Sequence, residues 1–274
     1  MSTPCALCPH HCRLAEGGIG LCRARIGRAG RSAPLGYGRL TSLALDPIEK
    51  KPLSRYLPGS MILSAGSFGC NMRCFFCQNC DIAMAGQEVD TEYWPSERLV
   101  DQAQSLRFRG NIGLAFTYNE PLLNPEYIAD CARLLRAADM GCVVVTNGCF
   151  CLDAVGFLLP QVDAFNIVLK GFTEGWYQRL GGDLETVKAF IQAAHQHSHV
   201  ELATLIVPGE NDSEQEIEAL AAWVASLSPD IPLHLSRFFP RHQAQDRQPT
   251  DKAALLRLCE VASRHLNHVI PGNL

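Results

Sequence analysis

Three cysteines stand close together after an apolar run, and their thiols are the strongest chemical signal in the sequence. Cys70, Cys74 and Cys77 have the spacing C-x3-C-x2-C. Thiolates gathered on one short loop are typical ligands of an iron–sulfur cluster, and a cubane held by three cysteines keeps one iron open for chemistry. A zinc site more often uses paired C-x2-C knuckles with four protein ligands. The loop therefore predicts a [4Fe–4S] cluster with one open iron.

A second group of cysteines lies near the N-terminus, with the spacing C-x2-C-x3-C-x9-C. The surrounding segment 1–39 contains many glycines, and six arginines against one glutamate give it a net charge of +5. Such a segment buries little apolar surface, so a bound metal would keep it folded. Zinc would be structural and a second iron–sulfur cluster would relay electrons, and the sequence leaves both open. The four candidate ligands are Cys5, Cys8, Cys12 and Cys22.

The composition of the whole chain narrows the function classes. The 274 residues are 47% hydrophobic, enough for a full core, and the net charge of −4 disfavours binding of nucleic acid by the chain as a whole. The N-terminal arginines could contact nucleic acid, but few aromatic residues interleave with them, and a solvated basic face or a docking site for an acidic partner fits at least as well. No signal segment and no membrane-spanning apolar run is present, so the sequence predicts a cytoplasmic protein in which thiols stay reduced.

From residue 61 onward the pattern alternates between strand and helix. The predicted strands are 61–67, 111–117, 142–146, 163–169, 200–207 and 231–236. Helices are predicted over 95–109, 125–138, 153–159, 183–195, 212–227 and 250–265, with Ser96, Asn124 and Asp212 as starting signals. Repeated β/α alternation favours a parallel sheet with helices outside, in a partial barrel or a doubly wound sheet.

This pattern places polar side chains at one edge of the sheet. Ligands of such sheets bind at the carboxyl ends of the strands. The ends of the six predicted strands are followed by the three cysteines, by the run 117–121 with Glu120, by Thr146 and Asn147, by Lys170, by the run 208–212, and by His234 with Ser236 and Arg237. The opposite edge carries no comparable set, so the sequence predicts a functional site at the carboxyl edge.

Six runs in order along the chain resemble one enzyme family: 5–12, 46–53, 69–79, 117–121, 145–148 and 233–238. They are similar to the radical S-adenosylmethionine (SAM) superfamily and, within it, to the AmmeMemoRadiSam-type enzymes, which are close to the glycyl-radical-enzyme (pyruvate formate-lyase) activating enzymes. The resemblance implies an α/β fold, a partial (β/α)6 TIM-like barrel with a small N-terminal cysteine-rich module. We divide the chain into the module with its connector, 1–58, and the barrel, 59–274.

The resemblance also implies an activity. The open iron of a [4Fe–4S] cluster would chelate SAM, and an electron from a donor such as flavodoxin or ferredoxin would cleave it to methionine and a 5′-deoxyadenosyl radical. That radical would abstract hydrogen from a protein partner or a small molecule. A glycyl-radical-enzyme activase proper is the alternative within the family. A non-catalytic zinc or iron–sulfur binding module explains the cysteines but not the polar edge of the sheet.

Residue roles follow from the same resemblance. Cys70, Cys74 and Cys77 would hold the cluster, and Phe76 would pack near adenine. Asn119 and Glu120 would accept hydrogen bonds from the SAM amino group, where a carboxylate balances positive charge. Lys170 would face the SAM carboxylate, His234 the ribose and adenine, and Thr146 and Asn147 the ribose. Each has a structural alternative: a cap at Glu120, a solvated strand end at Lys170, a core ring at His234 or Phe76, and a turn at residues 146–148.

The chain departs from the family pattern at several positions. Cys80 stands where tryptophan is usual, and it is either a redox thiol or a small buried residue. Cys149 and Cys151 follow the third strand, as a redox pair or as a chance pair. Val145 and Val168 stand where activases often have aspartate, which favours the AmmeMemoRadiSam branch over a true activase.

Overall fold

Short antiparallel strands form the N-terminal part of the protein, whose computed structural model describes residues 2–274. Strands β1 (Thr3–Pro4) and β2 (Arg13–Leu14) pair with each other, as do β3 (Arg25–Arg28) and β4 (Arg31–Pro34). Strand β5 (Arg39–Leu40) pairs with the later strand β8 (Glu92–Tyr93). Pairs this short cannot build a core, so the N-terminal part depends on what it packs against.

An eight-stranded sheet forms the centre of the protein, in the order β14-β13-β12-β11-β10-β9-β7-β6. Every neighbouring pair from β7 to β14 is parallel, and β6 pairs antiparallel with β7 at the edge. The six predicted strands are confirmed as β7 and β9 to β13. The sheet strands are β6 (Ser42–Pro47), β7 (Met61–Gly66), β9 (Asn111–Phe116), β10 (Gly141–Thr146), β11 (Ala164–Val168), β12 (His199–Ile206), β13 (Leu233–Arg237) and β14 (Val269–Gly272).

Eight helices accompany the sheet over residues 2–274. Their buried residues pack with one face of the strands in a large core that includes Leu114, Val144, Ile167, Leu202 and Leu235. This is the α/β partial barrel with outer helices that the alternation predicts. The helices are α1 (Cys80–Ala83), α2 (Ser96–Ser105), α3 (Pro125–Ala137), α4 (Leu152–Val155), α5 (Glu174–Arg179), α6 (Leu184–His195), α7 (Glu214–Leu227) and α8 (Lys252–Ala262). None of them is long and apolar enough to cross a membrane.

Two of the predicted helix starts are wrong in detail. Ser96 is the first helical residue of α2 rather than its cap, and Pro95 holds the cap position without a side-chain bond. Helix α7 is capped by Ser213 and not by Asp212, because the Ser213 hydroxyl accepts the Glu216 N–H at 3.2 Å. Asn124 does hold the cap position of α3 before Pro125, although its side chain makes no cap bond.

The connector before β7 fills the inner face of the sheet. Ile48 and Leu53 form a small apolar cluster with Ile62, Ala115, Val143 and Ala164, which belong to four strands of the sheet. We call residues 48–57 the floor segment, because they close this end of the partial barrel. The segment was predicted only as a proline-rich linker. The domain division at residue 58 stays a prediction, but β6 and the floor segment, which precede it, belong to the sheet structure.

A buried glutamate of β12 holds the floor segment in place. Glu201 is fully buried, and its carboxylate accepts hydrogen bonds from Ser54 N at 2.9 Å and Arg55 N at 2.7 Å. Asn166 of β11 donates from Nδ2 to the Pro52 carbonyl at 2.9 Å. A charge inside a protein needs such donors to offset its lost hydration. Polar side chains on the inner face of the sheet therefore hold the connector in place through hydrogen bonds.

Candidate active site

The loop that follows β7 carries the three cysteines and is held by local hydrogen bonds. Cys77 N donates to the Cys74 carbonyl at 3.1 Å, which closes a tight turn between the second and third thiol. The Arg73 guanidinium donates to the Cys70 carbonyl at 2.7 Å, and its backbone N–H donates to Leu180 O at 2.7 Å. The loop thus presents all three thiols near the carboxyl edge of the sheet, as predicted.

The N-terminal module packs directly on this loop. Gly69 has a φ of +84°, and a Cβ there would lie 2.4 Å from the Cys22 carbonyl oxygen. Only glycine meets both requirements, the left-handed backbone and the close approach. His10 Nε2 lies 2.7 Å from the Asn71 carbonyl oxygen, and Arg73 also donates to the Leu21 carbonyl. Two groups of cysteines that are far apart in sequence therefore share one interface.

Lys170, at the end of β11, places a cation beside the three thiols. Burial opposes its charge, but the thiols of Cys74, Cys70 and Cys77 raise the pKa of the Lys170 ammonium above its usual value. Within residues 2–274 the ammonium has no hydrogen-bond acceptor of its own, whereas the Lys170 carbonyl accepts from Trp176 Nε1 at 2.7 Å and from Asn211 Nδ2 at 2.8 Å. The Lys170 backbone is therefore held in place, while its ammonium group is available to bind another partner.

Glu120 is a buried carboxylate at the same edge. Oε1 accepts hydrogen bonds from Thr146 Oγ1 at 2.7 Å and from Leu122 N at 3.1 Å, and Oε2 accepts from Asn147 N at 2.8 Å. Burial raises the pKa of Glu120 to about 7, although these donors and Lys170 act in the opposite direction. The residue is both the cap of the next turn and a carboxylate with free acceptor capacity on Oε2.

Thr146 and Asn147 lie together with Glu120, as the strand order predicts. The Thr146 hydroxyl is committed to Glu120. The Asn147 amide donates to Asn71 Oδ1 at 2.8 Å and lies 3.7 Å from Cys70 Sγ. These two residues position the carboxylate and the first thiol, while their own polar groups are already engaged.

Phe76 lies in a small aromatic cluster beside the thiols. Its ring stacks on Trp176 with 5.8 Å between the ring centroids and an interplanar angle of 14°. Phe75 meets Phe76 edge to face at 5.0 Å, and the Arg247 guanidinium lies 4.9 Å from the Phe75 ring. The cluster gives the site one flat apolar wall.

Two predicted site residues have their polar groups turned elsewhere. The Asn119 amide accepts from Ser67 N at 3.0 Å and donates to Phe68 O at 3.0 Å, so it braces the start of the cysteine loop. His234 Nε2 bonds to Glu201 Oε2 at 2.7 Å, within the barrel. Neither amide atom of Asn119 nor this ring nitrogen of His234 is left without a partner. Their effect on the site comes through the loop and the barrel interior.

The structure adds residues that the sequence did not single out. Asn71 is buried and donates to the Cys149 carbonyl at 2.8 Å in addition to accepting from Asn147. Tyr118 has a φ of +75° and donates to Asp46 Oδ2 at 2.8 Å, while Lys51 pairs with the same oxygen at 2.9 Å. Burial and Asp46 raise the pKa of Tyr118 to about 12. The run 46–53 was a signal for this contact, although no role was assigned to it.

The other cysteines of the barrel occupy different environments. Cys149 is buried, and its amide N–H donates to Asn147 Oδ1 at 2.9 Å. Cys151 and Cys80 are partly buried, and Cys80 Sγ lies 3.6 Å from its neighbour Asp81 Oδ1. No disulfide joins any of the thirteen cysteines, all of which lie in the described part of the chain.

Comparison with known proteins gives the family. A family model described as the radical SAM superfamily matches residues 66–224. An uncharacterized protein of Methanocaldococcus jannaschii is 34% identical over 274 residues, which cover 98% of this chain and 81% of that protein. The matched region spans the cysteine loop, Glu120, Asn147 and Lys170.

Solved structures share the fold at low sequence identity. A domain of the pyruvate-formate lyase-activating enzyme from Bacteroides vulgatus superposes with a TM-score of 0.50 at 20% identity, over 58% of this chain and 98% of that one. A radical SAM methyltransferase from Sphaerobacter thermophilus gives 0.56 at 15% identity, over 79% and 67% of the two chains. Streptococcus suis SuiB bound to its precursor peptide gives 0.56 at 15% identity, over 75% and 46%. These structures show the shared fold, and the family model, which matches more than half of the chain, establishes that the chain belongs to the radical SAM superfamily.

Proposed function

We propose that the protein holds a [4Fe–4S] cluster with Cys70, Cys74 and Cys77 and binds SAM at the carboxyl edge of the sheet. When bound, the reduced cluster and SAM supply a one-electron cleavage that yields methionine and a 5′-deoxyadenosyl radical, which takes a hydrogen atom from the substrate. The observation that supports this most directly is the unpaired Lys170 ammonium beside the three thiols, with Glu120 at the same edge. The residues present fit the donors and charges that the family's cofactors require.

The two charged side chains would bind the two charged ends of the amino acid portion of SAM. Lys170 has no acceptor of its own and would pair with the carboxylate. Glu120 uses Oε2 for one hydrogen bond only, from Asn147 N, and would accept another from the ammonium. Charge-assisted hydrogen bonds of this kind are about twice as strong as neutral ones. Their placement on β11 and after β9 fixes the orientation of SAM relative to the thiols.

The aromatic cluster and the edge amides would hold the rest of the cofactor. The stacked pair Phe76 and Trp176 offers a flat wall of the size of a purine ring. Thr146 and Asn147 would hold the Glu120 carboxylate and the Cys70 thiol in position rather than donate hydrogen bonds to the ribose. Asn119 would brace the loop, and His234 would act through Glu201.

We also assign the protein to the AmmeMemoRadiSam branch and place a glycyl-radical-enzyme activase second. Val145 and Val168 occupy the two positions where activases often have aspartate, so the inner face has no carboxylate at either position. The segment 237–250 packs against the cysteine loop. Gln243 N donates to the Phe75 carbonyl at 2.9 Å, and Arg247 bonds to Glu210 at 2.7 Å. A segment held beside the thiols in this way would suit a small molecule or a flexible peptide better than the loop of a folded protein partner.

Anaerobic reconstitution tests the proposal. The reconstituted protein, given SAM and a chemical reductant or reduced flavodoxin or ferredoxin, should release 5′-deoxyadenosine. Cys74→Ala should release none, whereas Cys259→Ala, which alters a buried cysteine of α8 away from both groups, should keep the activity. Absence of 5′-deoxyadenosine from wild-type protein that holds its cluster, or equal release by Cys74→Ala, would overturn the assignment.

A further inference from the structure

The four N-terminal cysteines surround one enclosed space. Cys5, Cys8, Cys12 and Cys22 line the same cavity of about 10 Å³, together with the guanidinium-bearing Arg25. Cys5, Cys8 and Cys22 are each less than 8% exposed. A space of this volume holds one water-sized sphere, which matches the size of a single ion. The cavity therefore favours a single ion over a cluster.

Polar hydrogens point at each of the four sulfurs. The backbone N–H of His10 lies beside the Cys8 thiol, and the backbone N–H groups of Ala24 and Arg25 lie beside the Cys22 thiol. Leu21 N donates to Cys12 Sγ at 3.4 Å, and Ser32 Oγ donates to Cys5 Sγ at 3.2 Å. A neutral thiol is a weak acceptor, whereas a metal-bound thiolate carries charge that such donors stabilise. Each of the four sulfurs therefore has a nearby hydrogen-bond donor, which a metal-bound thiolate requires.

One ring nitrogen of the histidine that lines this cavity is engaged outside it. His10 lines the cavity, but its Nε2 lies 2.7 Å from the Asn71 carbonyl oxygen, on the cysteine loop of the barrel. The donor set is then four sulfurs with no position left for water or substrate. Closed, tetrahedral, all-thiolate sites are typical of structural zinc.

We propose that Cys5, Cys8, Cys12 and Cys22 bind one structural zinc ion, which clamps the N-terminal module onto the cysteine loop of the barrel. No three Cys, His, Asp or Glu side chains between residues 2 and 274 already converge at ligand distance. The four thiols therefore lose their protons and rotate inward as the ion binds. The ion acts at a distance through three contacts of the module: Cys22 O against Gly69, His10 with Asn71, and Leu21 O with Arg73. This inference does not depend on the reaction proposed for the barrel.

Metal analysis of the full-length protein, purified without added zinc, tests the site. We expect about one zinc ion per chain in addition to the barrel's iron. Cys22→Ser should lose the zinc, while Cys74→Ala should lose iron and keep the zinc, and Cys259→Ser should keep both. Reconstitution of the metal-free wild type with Co²⁺ alone should give the ligand-field and sulfur-to-cobalt charge-transfer absorption of a tetrahedral thiolate site.

Two results would contradict the proposed zinc site. An iron content sufficient for two clusters, with no zinc, would show that the module holds a second iron–sulfur cluster. Wild-type protein without zinc, and without a cobalt thiolate spectrum, would show that the four cysteines bind no such ion. Since the Cys74→Ala variant and 5′-deoxyadenosine release are measured separately, neither result bears on the proposed reaction. If Cys22→Ser does not fold, the wild-type metal content and the cobalt spectrum still decide.

Discussion

The two groups of cysteines touch through one interface but differ in what surrounds their sulfurs. The barrel group, Cys70, Cys74 and Cys77, faces charged side chains, Lys170 and Glu120, and an aromatic wall. The N-terminal group is wrapped by donors that belong mostly to the backbone and encloses a space the size of one water molecule. A site built for chemistry leaves charges without partners, whereas a site built for stability satisfies its own donors and acceptors.

The largest effect is expected when one cysteine of each group is exchanged for serine. Cys77→Ser should lose the barrel iron and reduce 5′-deoxyadenosine release to the level seen without reductant, with zinc retained. Cys12→Ser should lose zinc but keep part of the iron and measurable activity, because the module is not a cluster ligand. Iron, zinc and 5′-deoxyadenosine are measured on the same preparations. Equal loss of activity in the two variants would contradict the division of roles.

Glu120→Gln should weaken SAM binding by about 10- to 100-fold near pH 8, since a hydrogen bond to a charged group contributes ~1.5–3 kcal/mol. Glu120 has a pKa of about 7. The carboxylate that binds ammonium is the form present above that pKa, so the wild-type affinity should rise about 5-fold from about pH 6 to about pH 7, and level off above that as the α-amino group of SAM loses its proton.

Calorimetry on the anaerobic protein measures both effects of Glu120. The glutamine variant should lack the wild-type rise in affinity, and Glu260→Gln on the exposed face of α8 serves as the control. The same pH profile in the Glu120→Gln and wild-type proteins would exclude Glu120 as the group that binds the ammonium.

Asn71→Ala should lower iron retention by about 10-fold, the lower end of the range for residues that orient metal ligands. Its side chain joins Asn147 and the Cys149 carbonyl, both at 2.8 Å, and Asn147 in turn lies against Cys70 Sγ. The rate of iron loss to a chelator gives the measurement, with exposed Asn267→Ala as the control. Unchanged iron loss would show that the Asn71 side chain does not position Cys70 as an iron ligand.

The smallest effect is expected from a pair of neighbouring histidines. His10→Asn removes the bond to the Asn71 carbonyl, worth ~1 kcal/mol, and should speed iron loss a few-fold. His11→Asn should have no effect, because asparagine tolerates the positive φ of 42° at that residue. Equal rates for the two variants would contradict a clamp that acts through His10.

The alternation of strands and helices was readable from sequence because each β/α unit carries its own local pattern. The strands 111–117 and 142–146 differ from β9 and β10 by one residue at an end. The cysteine loop, Glu120, Asn147 and Lys170 were found because parallel strands bring their carboxyl ends together. These features depend on local periodicity and on a general rule of topology.

Other features depend on contacts between distant residues and could not be read in this way. Glu201 was the lone charged residue in an apolar strand, and its partner Ser54 lies 147 residues earlier. The direction of the Asn119 side chain, toward Phe68 rather than the cofactor, is decided by packing. Strand β14 was missed because Pro271 and Gly272 are poor strand formers, and its pairing with β13 is not visible in the local sequence.

The floor segment has a practical consequence for how the protein can be divided. A barrel expressed from residue 59 would lack Ser54 and Arg55, which donate to Glu201, and would open the apolar cluster around Ile62 to solvent. The Glu201 carboxylate would then lack these hydrogen-bond donors, and the apolar cluster would be exposed to water. The barrel segment 59–274 should therefore not fold by itself, and deletions from the amino terminus should stop short of β6.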